Sequence, residues 1–338
     1  MIVYLYCDKR SVNDATTYYV DLMVKPLIER GYEYKIVHAL HEIQKPDIIL
    51  TITAKYFFMA KIRHPRCKTI YWAQGVSAAE AKMSINSIKA YNRYLYRAIT
   101  EPIAVRNSDV LFCVSERMLQ YYSETCRMHN DSKCIIMPCY NLPLSDRFII
   151  SQYKEPTFVY AGGFNIWQGI DFMMEVYSKV EKAIPNCRIT ILSNQKEQFK
   201  DAVSKYNILH YDIKYVPLDH LSDELHKHKY GFIIRDNNIV NNVSTPTKMN
   251  SYLSNYIIPV FSDAVDSFVK HIDLGQYQLM VNCPLDSTEA AEKIIQFERG
   301  VKDYAGYCSV VEKVFATYYN DSLYIDIINK KYSELLFQ

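Results

Sequence analysis

The most constraining feature of this sequence is an alternation of short β-rich runs with stretches of helical spacing, played through twice. In the first half the runs are Ile2 to Cys7, Tyr34 to Val37, Asp47 to Thr53, Thr69 to Trp72, Val110 to Val114 and Cys134 to Met137. Helical spacing lies between them, as at Tyr19 to Arg30 and Glu116 to Tyr122. Strands that alternate with helices pair in parallel, and each crossover lays a helix on the sheet, so both faces are covered. The pattern pauses over residues 141–156, a polar stretch with Pro143 and Pro156 that reads as a linker. It restarts with strands at Thr157 to Ala161, Arg188 to Leu192, Ile213 to Val216, Tyr230 to Arg235, Ile257 to Phe261 and Leu279 to Asn282. Helices are expected at Ile170 to Ala183, Lys196 to Tyr206, Ser222 to Lys229 and Pro246 to Leu253. From Ser287 onward the spacing is helical. The expected fold class is α/β, with two Rossmann-like domains facing a cleft: residues 1–150, and residues 151–338 with C-terminal helices that cap the second sheet or cross back.

A chain of 338 residues that is 49% apolar and 22% charged buries a large core, which excludes disorder. Net charge is +2, too little for a field that wraps nucleic acid, so no nucleic-acid partner is expected. The charge is unevenly spread: residues 1–150 hold 20 Lys and Arg against 14 Asp and Glu, and the remainder 19 against 23. Nine scattered cysteines with no C-x-x-C pair fit reduced thiols in a cytoplasmic protein rather than a disulfide framework or zinc ribbon. The first residues lack a signal-peptide pattern, and no apolar run has the roughly 18 residues of a spanning helix, so any membrane contact is peripheral.

Three stretches could carry chemistry. In Tyr160-Ala161-Gly162-Gly163-Phe164-Asn165-Ile166-Trp167-Gln168-Gly169 a strand runs into paired glycines and then a helix. Such a turn lets backbone N–H groups approach a phosphate, although it is also an ordinary tight turn. It is neither a Walker A loop nor a G-x-G-x-x-G fingerprint. The second stretch, Arg235 to Lys248, leaves the C-terminal end of a strand as an asparagine-rich loop and enters a helix, with Ser244 or Thr245 as N-cap and Pro246 in the first turn. Arg235 and Lys248 flank that helix start, so a diphosphate could meet two cations and free backbone donors together; the alternative is a capped surface helix with solvated cations. The third is positional: Asp8 to Asp14 after the first strand, including Asn13, and Gln74-Gly75 after a later one, unless these are simply caps and turns.

No D-x-D occurs, which removes the usual carboxylate pair for a metal on a nucleotide diphosphate, and the histidines lack metal-site spacing. No metal site is expected. A helix is expected over Ala81 to Ile99, its stripe of Ala81, Ile85, Ile88, Leu95 and Ile99 bordered by Lys82, Lys89, Arg93 and Tyr96. It either packs on the core with a solvated edge or meets anionic lipid.

The stretch from Tyr160 to Asp171, together with Arg235 to Ser262, resembles the C-terminal domain of retaining, two-domain (GT-B fold) glycosyltransferases of family four, in particular a bacterial branch of capsule, O-antigen and exopolysaccharide assembly. Tyr71 to Gly75 and Ser108 to Met118 resemble that family's acceptor-domain segments. The resemblance implies a metal-independent transfer of a sugar from a nucleotide-diphosphate donor, most simply a UDP-sugar, to a glycan or lipid-linked acceptor, with no further cofactor. It implies that Arg235 and Lys248 stabilise the departing diphosphate and that the N–H groups of Gly162 and Gly163 assist. Gln168, Asn241, Ser244, Thr245, Thr247 and Ser251 complete the donor side, and Asp8, Asn13, Gln74 and Gly75 stand on the acceptor side. The chain departs from the family at its diphosphate-binding lysine, which falls on Gln168, and at its paired glutamates, which fall near Val243 and on Ser251. A noncatalytic sugar-binding relative and a same-fold nucleotide-sugar epimerase are the alternatives.

Overall fold

The computed structural model describes residues 1–12, 14–300 and 303–337, and places twelve strands in two six-stranded sheets. In the first half the strands are β1 (Ile2–Tyr6), β2 (Glu33–Val37), β3 (Ile48–Thr51), β4 (Lys68–Ala73), β5 (Val110–Cys113) and β6 (Cys134–Ile136). Between and beside them run α1 (Asp14–Ile28), α2 (Ala54–Arg63), α3 (Ser77–Met83), α4 (Ile88–Asn107) and α5 (Glu116–Cys126). The second half holds β7 (Thr157–Ala161), β8 (Arg188–Leu192), β9 (Tyr211–Lys214), β10 (Tyr230–Ile233), β11 (Ile258–Ser262) and β12 (Leu279–Val281). Its helices are α6 (Ile170–Ala183), α7 (Lys196–Lys205), α8 (Leu221–Leu225), α9 (Ile239–Asn242), α10 (Thr247–Ser254), α11 (Asp266–His271), α12 (Ser287–Arg299) and α13 (Tyr304–Thr317), followed by α14 (Asp321–Leu335).

Every strand pair is parallel, as alternation with helices demands. The first sheet runs β2-β1-β3-β4-β5-β6 and the second β12-β11-β10-β7-β8-β9. Strand order reverses between β1 and β3 in one and between β7 and β10 in the other, and a crevice opens beyond the strands' C-terminal ends at such a reversal. The inner strands are buried on both faces, which is why they read as near-continuous apolar runs: Ile49, Leu50, Ile70, Val110, Leu111, Phe112, Phe158, Val159, Phe232 and Val260 are all inaccessible, while the edge strands β2 and β9 are partly exposed.

The chain forms two compact units: Met1–Asn141 with Asn242–Thr245 and Asn320–Gln338, and Leu142–Asn241 with Pro246–Tyr319. In the first unit α14 lies on α1, where the Tyr332 hydroxyl donates to the Met23 carbonyl and Tyr18 donates to Asp321 at 2.8 Å. Residues 142–156 are packed structure of the second unit rather than a linker. Tyr153 is buried, stacks on Tyr304 and donates to the Tyr256 carbonyl, while Gln152 donates to the carbonyls of His228 and Asn255.

The helix expected over Ala81 to Ile99 is two helices. Ser84 ends α3, and Ser87 caps α4 by accepting the Ala90 N–H at 3.2 Å, so the Ser-Ile-Asn-Ser segment competes with helix for its own backbone. The expected strand Ile213 to Val216 lies two residues earlier, and the helix expected over Ser222 to Lys229 stops at Leu225. Among the described residues no helix is long and apolar enough to cross a membrane.

Candidate active site

In the second unit the site grows from the ends of β7 and β10. After β7 the chain enters Gly162, whose φ of +154° suits glycine and whose added Cβ would stand 2.7 Å from Lys248 Cε. A short 3-10 turn, Ile166–Gln168, then leads to Gly169, in the left-handed region at φ +62°, and so into α6. A Cβ on Gly169 would lie 2.7 Å from the Ile234 carbonyl oxygen. Gly169→Ala is therefore expected to cost about 1–2 kcal/mol from the left-handed backbone alone, with the carbonyl contact adding to it; urea unfolding measures the loss, and an unchanged midpoint would show that the turn relaxes freely.

Gln168 is held by that turn, and its Oε1 accepts from Lys248 Nζ at 2.6 Å and from Arg235 Nη2 at 3.1 Å. Arg235, 5% exposed, follows β10; its Nη1 donates to Asn241 Oδ1 at 3.0 Å, and its backbone exchanges hydrogen bonds with the Ser262 hydroxyl. Its Nε is buried and has no hydrogen-bond partner among the described residues. Lys248 comes from α10, donates to the Tyr160 hydroxyl at 3.1 Å and stands 4.2 Å over the Tyr160 ring. Two cations thus share neutral ligands, and among the described residues no carboxylate is bonded to either. Burial pushes the Arg235 guanidinium down to about 10, and burial together with the Arg235 charge holds the Lys248 ammonium well below its ordinary 10.5. Charge desolvated without a counterion is costly, and an anion bound beside the two groups would offset that cost.

The structure brings together Gly162, Gly163, Gln168, Asn241, Thr247, Lys248, Ser251 and Arg235 in this unit, with corrections. The Gly162 N–H does not face a ligand, because it donates to the Leu192 carbonyl at 3.0 Å. Ser244 and Thr245 do not cap α10: Pro246 is the N-cap, and Thr245 Oγ1 is occupied by the Cys139 N–H at 2.9 Å in the first unit. Asn241 positions Arg235, its amide nitrogen being bound to the Asp236 carbonyl. The Ser251 hydroxyl donates back to the Thr247 carbonyl, four residues earlier in the helix. Tyr160 and Ser262 escape a sequence reading, since nothing separates this tyrosine from the other 29.

In the first unit, Asp8 caps the 3-10 turn Lys9–Ser11 by accepting from the Arg10 N–H, as one of the two sequence readings has it. It also lines a cavity of about 590 Å³ beyond β1, β3 and β4, together with Gln74, Gly75, Glu80, Arg93 and Arg97. Asn13 lies outside the described residues. Burial raises the Glu80 carboxyl, opposed by the nearby Arg97 charge. Among the described residues no three His, Cys, Asp or Glu side chains stand together as a metal site.

No family model and no curated protein matches this chain. Its structure is similar to sucrose-phosphate synthase from Thermosynechococcus elongatus, at 13% identity, TM-score 0.71, over 100% of this chain and 99% of that one. It is similar to HepE of Anabaena in complex with UDP-glucose, at 9% identity and TM-score 0.69, over 99% of this chain and 100% of that one. It is likewise similar to an E. coli protein described as trehalose-6-phosphate bound with UDP-2-fluoro glucose, at 9% identity and TM-score 0.69, over 100% and 99% of the two chains. The chain has the GT-B fold. At these identities the likeness is one of architecture, two Rossmann-like units each with a doubly wound parallel sheet.

Proposed function

We propose that this protein is a retaining, metal-independent glycosyltransferase of the family-four kind, moving a sugar from a UDP-sugar to a glycan or lipid-linked acceptor in bacterial surface polysaccharide synthesis. The observation that carries the reading is the Arg235–Lys248 pair, two desolvated cations bonded, among the described residues, to neutral groups at the strand-order reversal of the second sheet. The UDP-glucose and UDP-2-fluoro glucose bound to the two similar proteins support the choice of donor. In this reading the second unit binds the donor and the first unit the acceptor, with Asp8, Gln74 and Gly75 on the acceptor side. The protein works in the cytoplasm without a further cofactor.

In the transfer the bond from the sugar C1 to the diphosphate oxygen breaks and the bond from C1 to the acceptor oxygen forms on the same face. The acceptor's proton passes to the departing oxygen, so no side chain is assigned as base. Charge growing on the diphosphate is met by Arg235, Lys248 and the first N–H groups of α10. The two fixed cations do the work of a metal ion.

A thermal-shift panel of nucleotide sugars tests the reading. At least one UDP-sugar is expected to raise the melting temperature, equally in EDTA and in Mg²⁺, and UDP release should require an added glycan acceptor. A panel with no stabilising UDP-sugar overturns the donor assignment. Stabilisation that vanishes in EDTA and returns with Mn²⁺ overturns metal independence. UDP release without acceptor points to the epimerase reading, and binding with no release to the noncatalytic one.

A further inference from the structure

The most basic part of the sequence coincides with an uncovered apolar helix face. Residues 51–100 hold nine Lys and Arg against one acidic residue, Glu80, which lines the cavity of the first unit. Helix α4 carries Ile88, 81% exposed, with Tyr91, Leu95 at 40% and Ile99 at 64%. At 100° per residue Ile88, Leu95 and Ile99 fall within about 40° of one another. A stripe of this kind ordinarily faces a core, but here only Ala90 and Thr100 are buried among residues 88–100. Lys89 and Arg93 occupy the neighbouring sector. Arg93, Tyr96, Arg97 and Thr100 also line the cavity, so one helix is both its wall and the apolar face beside it. α2 packs against α4 and adds exposed Ile62 between Lys61 and Arg63, again without an acid.

We propose that this face of α4 docks on an anionic lipid bilayer and that the adjoining cavity takes the sugar headgroup of an acceptor anchored in that bilayer. Apolar side chains bordered by cations match acyl chains bordered by anionic headgroups. A second copy of the chain is a poor occupant, because two such basic faces repel. The docking stands on this face alone, whereas the class of acceptor rests on the glycosyltransferase reading.

Sedimentation with vesicles tests it, using phosphatidylcholine alone and phosphatidylcholine mixed with phosphatidylglycerol. The wild type is expected to pellet with the mixed vesicles at low salt and to be released as salt rises, since the attraction is screened. In R63E/K89E, where neither residue lines the cavity, the partition coefficient should fall roughly 25-fold or more, at about 5-fold for each cation lost. The I88S/L95S/I99S variant should stay in the supernatant. Unchanged circular dichroism and an unchanged thermal shift with UDP-sugar show that both variants are folded. Wild type left in the supernatant, equal pelleting of wild type and variants, or a wild-type dimer that I88S/L95S/I99S dissociates overturns the docking. If a UDP-sugar still stabilises the wild type in that event, the transfer reading survives; if vesicles bind but no UDP-sugar does, the docking survives without it.

Discussion

Lys248→Ala and Arg235→Ala should each weaken binding of a UDP-sugar by about 1.5–3 kcal/mol, roughly 10- to 150-fold, the range for hydrogen bonds to charged groups. Calorimetry reads the loss, and unchanged affinity in both variants would place the diphosphate elsewhere. The unliganded protein should respond differently. Lys248 sits beside Arg235 with Gln168 and Tyr160 as its ligands among the described residues, so Lys248→Met removes a desolvated charge and is expected to leave the unliganded fold as stable as before or more so. The sign with pH follows. The Lys248 pKa is lower folded than unfolded, so between the two values the unfolded chain binds more protons, and stability rises with pH across that window. A diphosphate favours the charged ammonium, so donor binding should take up protons and weaken as pH rises. A UDP-sugar's diphosphate does not itself titrate near neutrality. Titrations in buffers of different ionisation enthalpy should show that uptake in the wild type and not in Lys248→Met.

The largest loss of stability is expected at Glu101→Ala. Glu101 is the acid of α4 and is buried, 1% exposed; its carboxylate accepts the N–H groups of Ser77 and Ala78, which open α3, and the hydroxyl of Tyr122. Burial raises its pKa in spite of those three donors. Alanine orphans the Ser77 and Ala78 N–H groups, while the Tyr122 hydroxyl keeps the Gly75 carbonyl as acceptor at 3.1 Å; each buried unsatisfied donor costs about 1–3 kcal/mol, so a loss of about 2 kcal/mol or more is expected in urea unfolding. A loss below about 1 kcal/mol would mean that water reaches the start of α3 and replaces the carboxylate.

The parallel sheets were legible where their strands are buried on both faces: Phe158 to Tyr160 and Val110 to Cys113 stand out as unbroken apolar runs. Helix ends were less so. The break at Ser84 to Ser87 depends on a side chain competing for its own backbone, which an apolar period over Ala81 to Ile99 does not reveal. At α10 the hydroxyl best suited to cap, Thr245, is drawn to a backbone N–H 106 residues away. Gln168 is the clearest case at the site. By sequence it marks a lost positive charge, while in three dimensions its amide oxygen is the ligand that two cations share. Only the fold, by bringing β7, β10 and α10 together, turns that neutral side chain into the hub.

The two strand orders differ in one respect that bears on how such a chain can change. In the second sheet the reversal between β7 and β10 has three strands on either side, so the groups around Arg235 and Lys248 rest on the middle of the sheet. In the first sheet only β2 and β1 lie beyond the reversal, so the cavity beyond β1, β3 and β4 reaches to within one strand of an edge. Mutations that reshape a margin disturb few neighbours, while those at a centre disturb many. A lineage built on this plan can remodel α2, α3 and α4 around the first unit's cavity while the groups around Arg235 and Lys248 are held still by their place in the architecture.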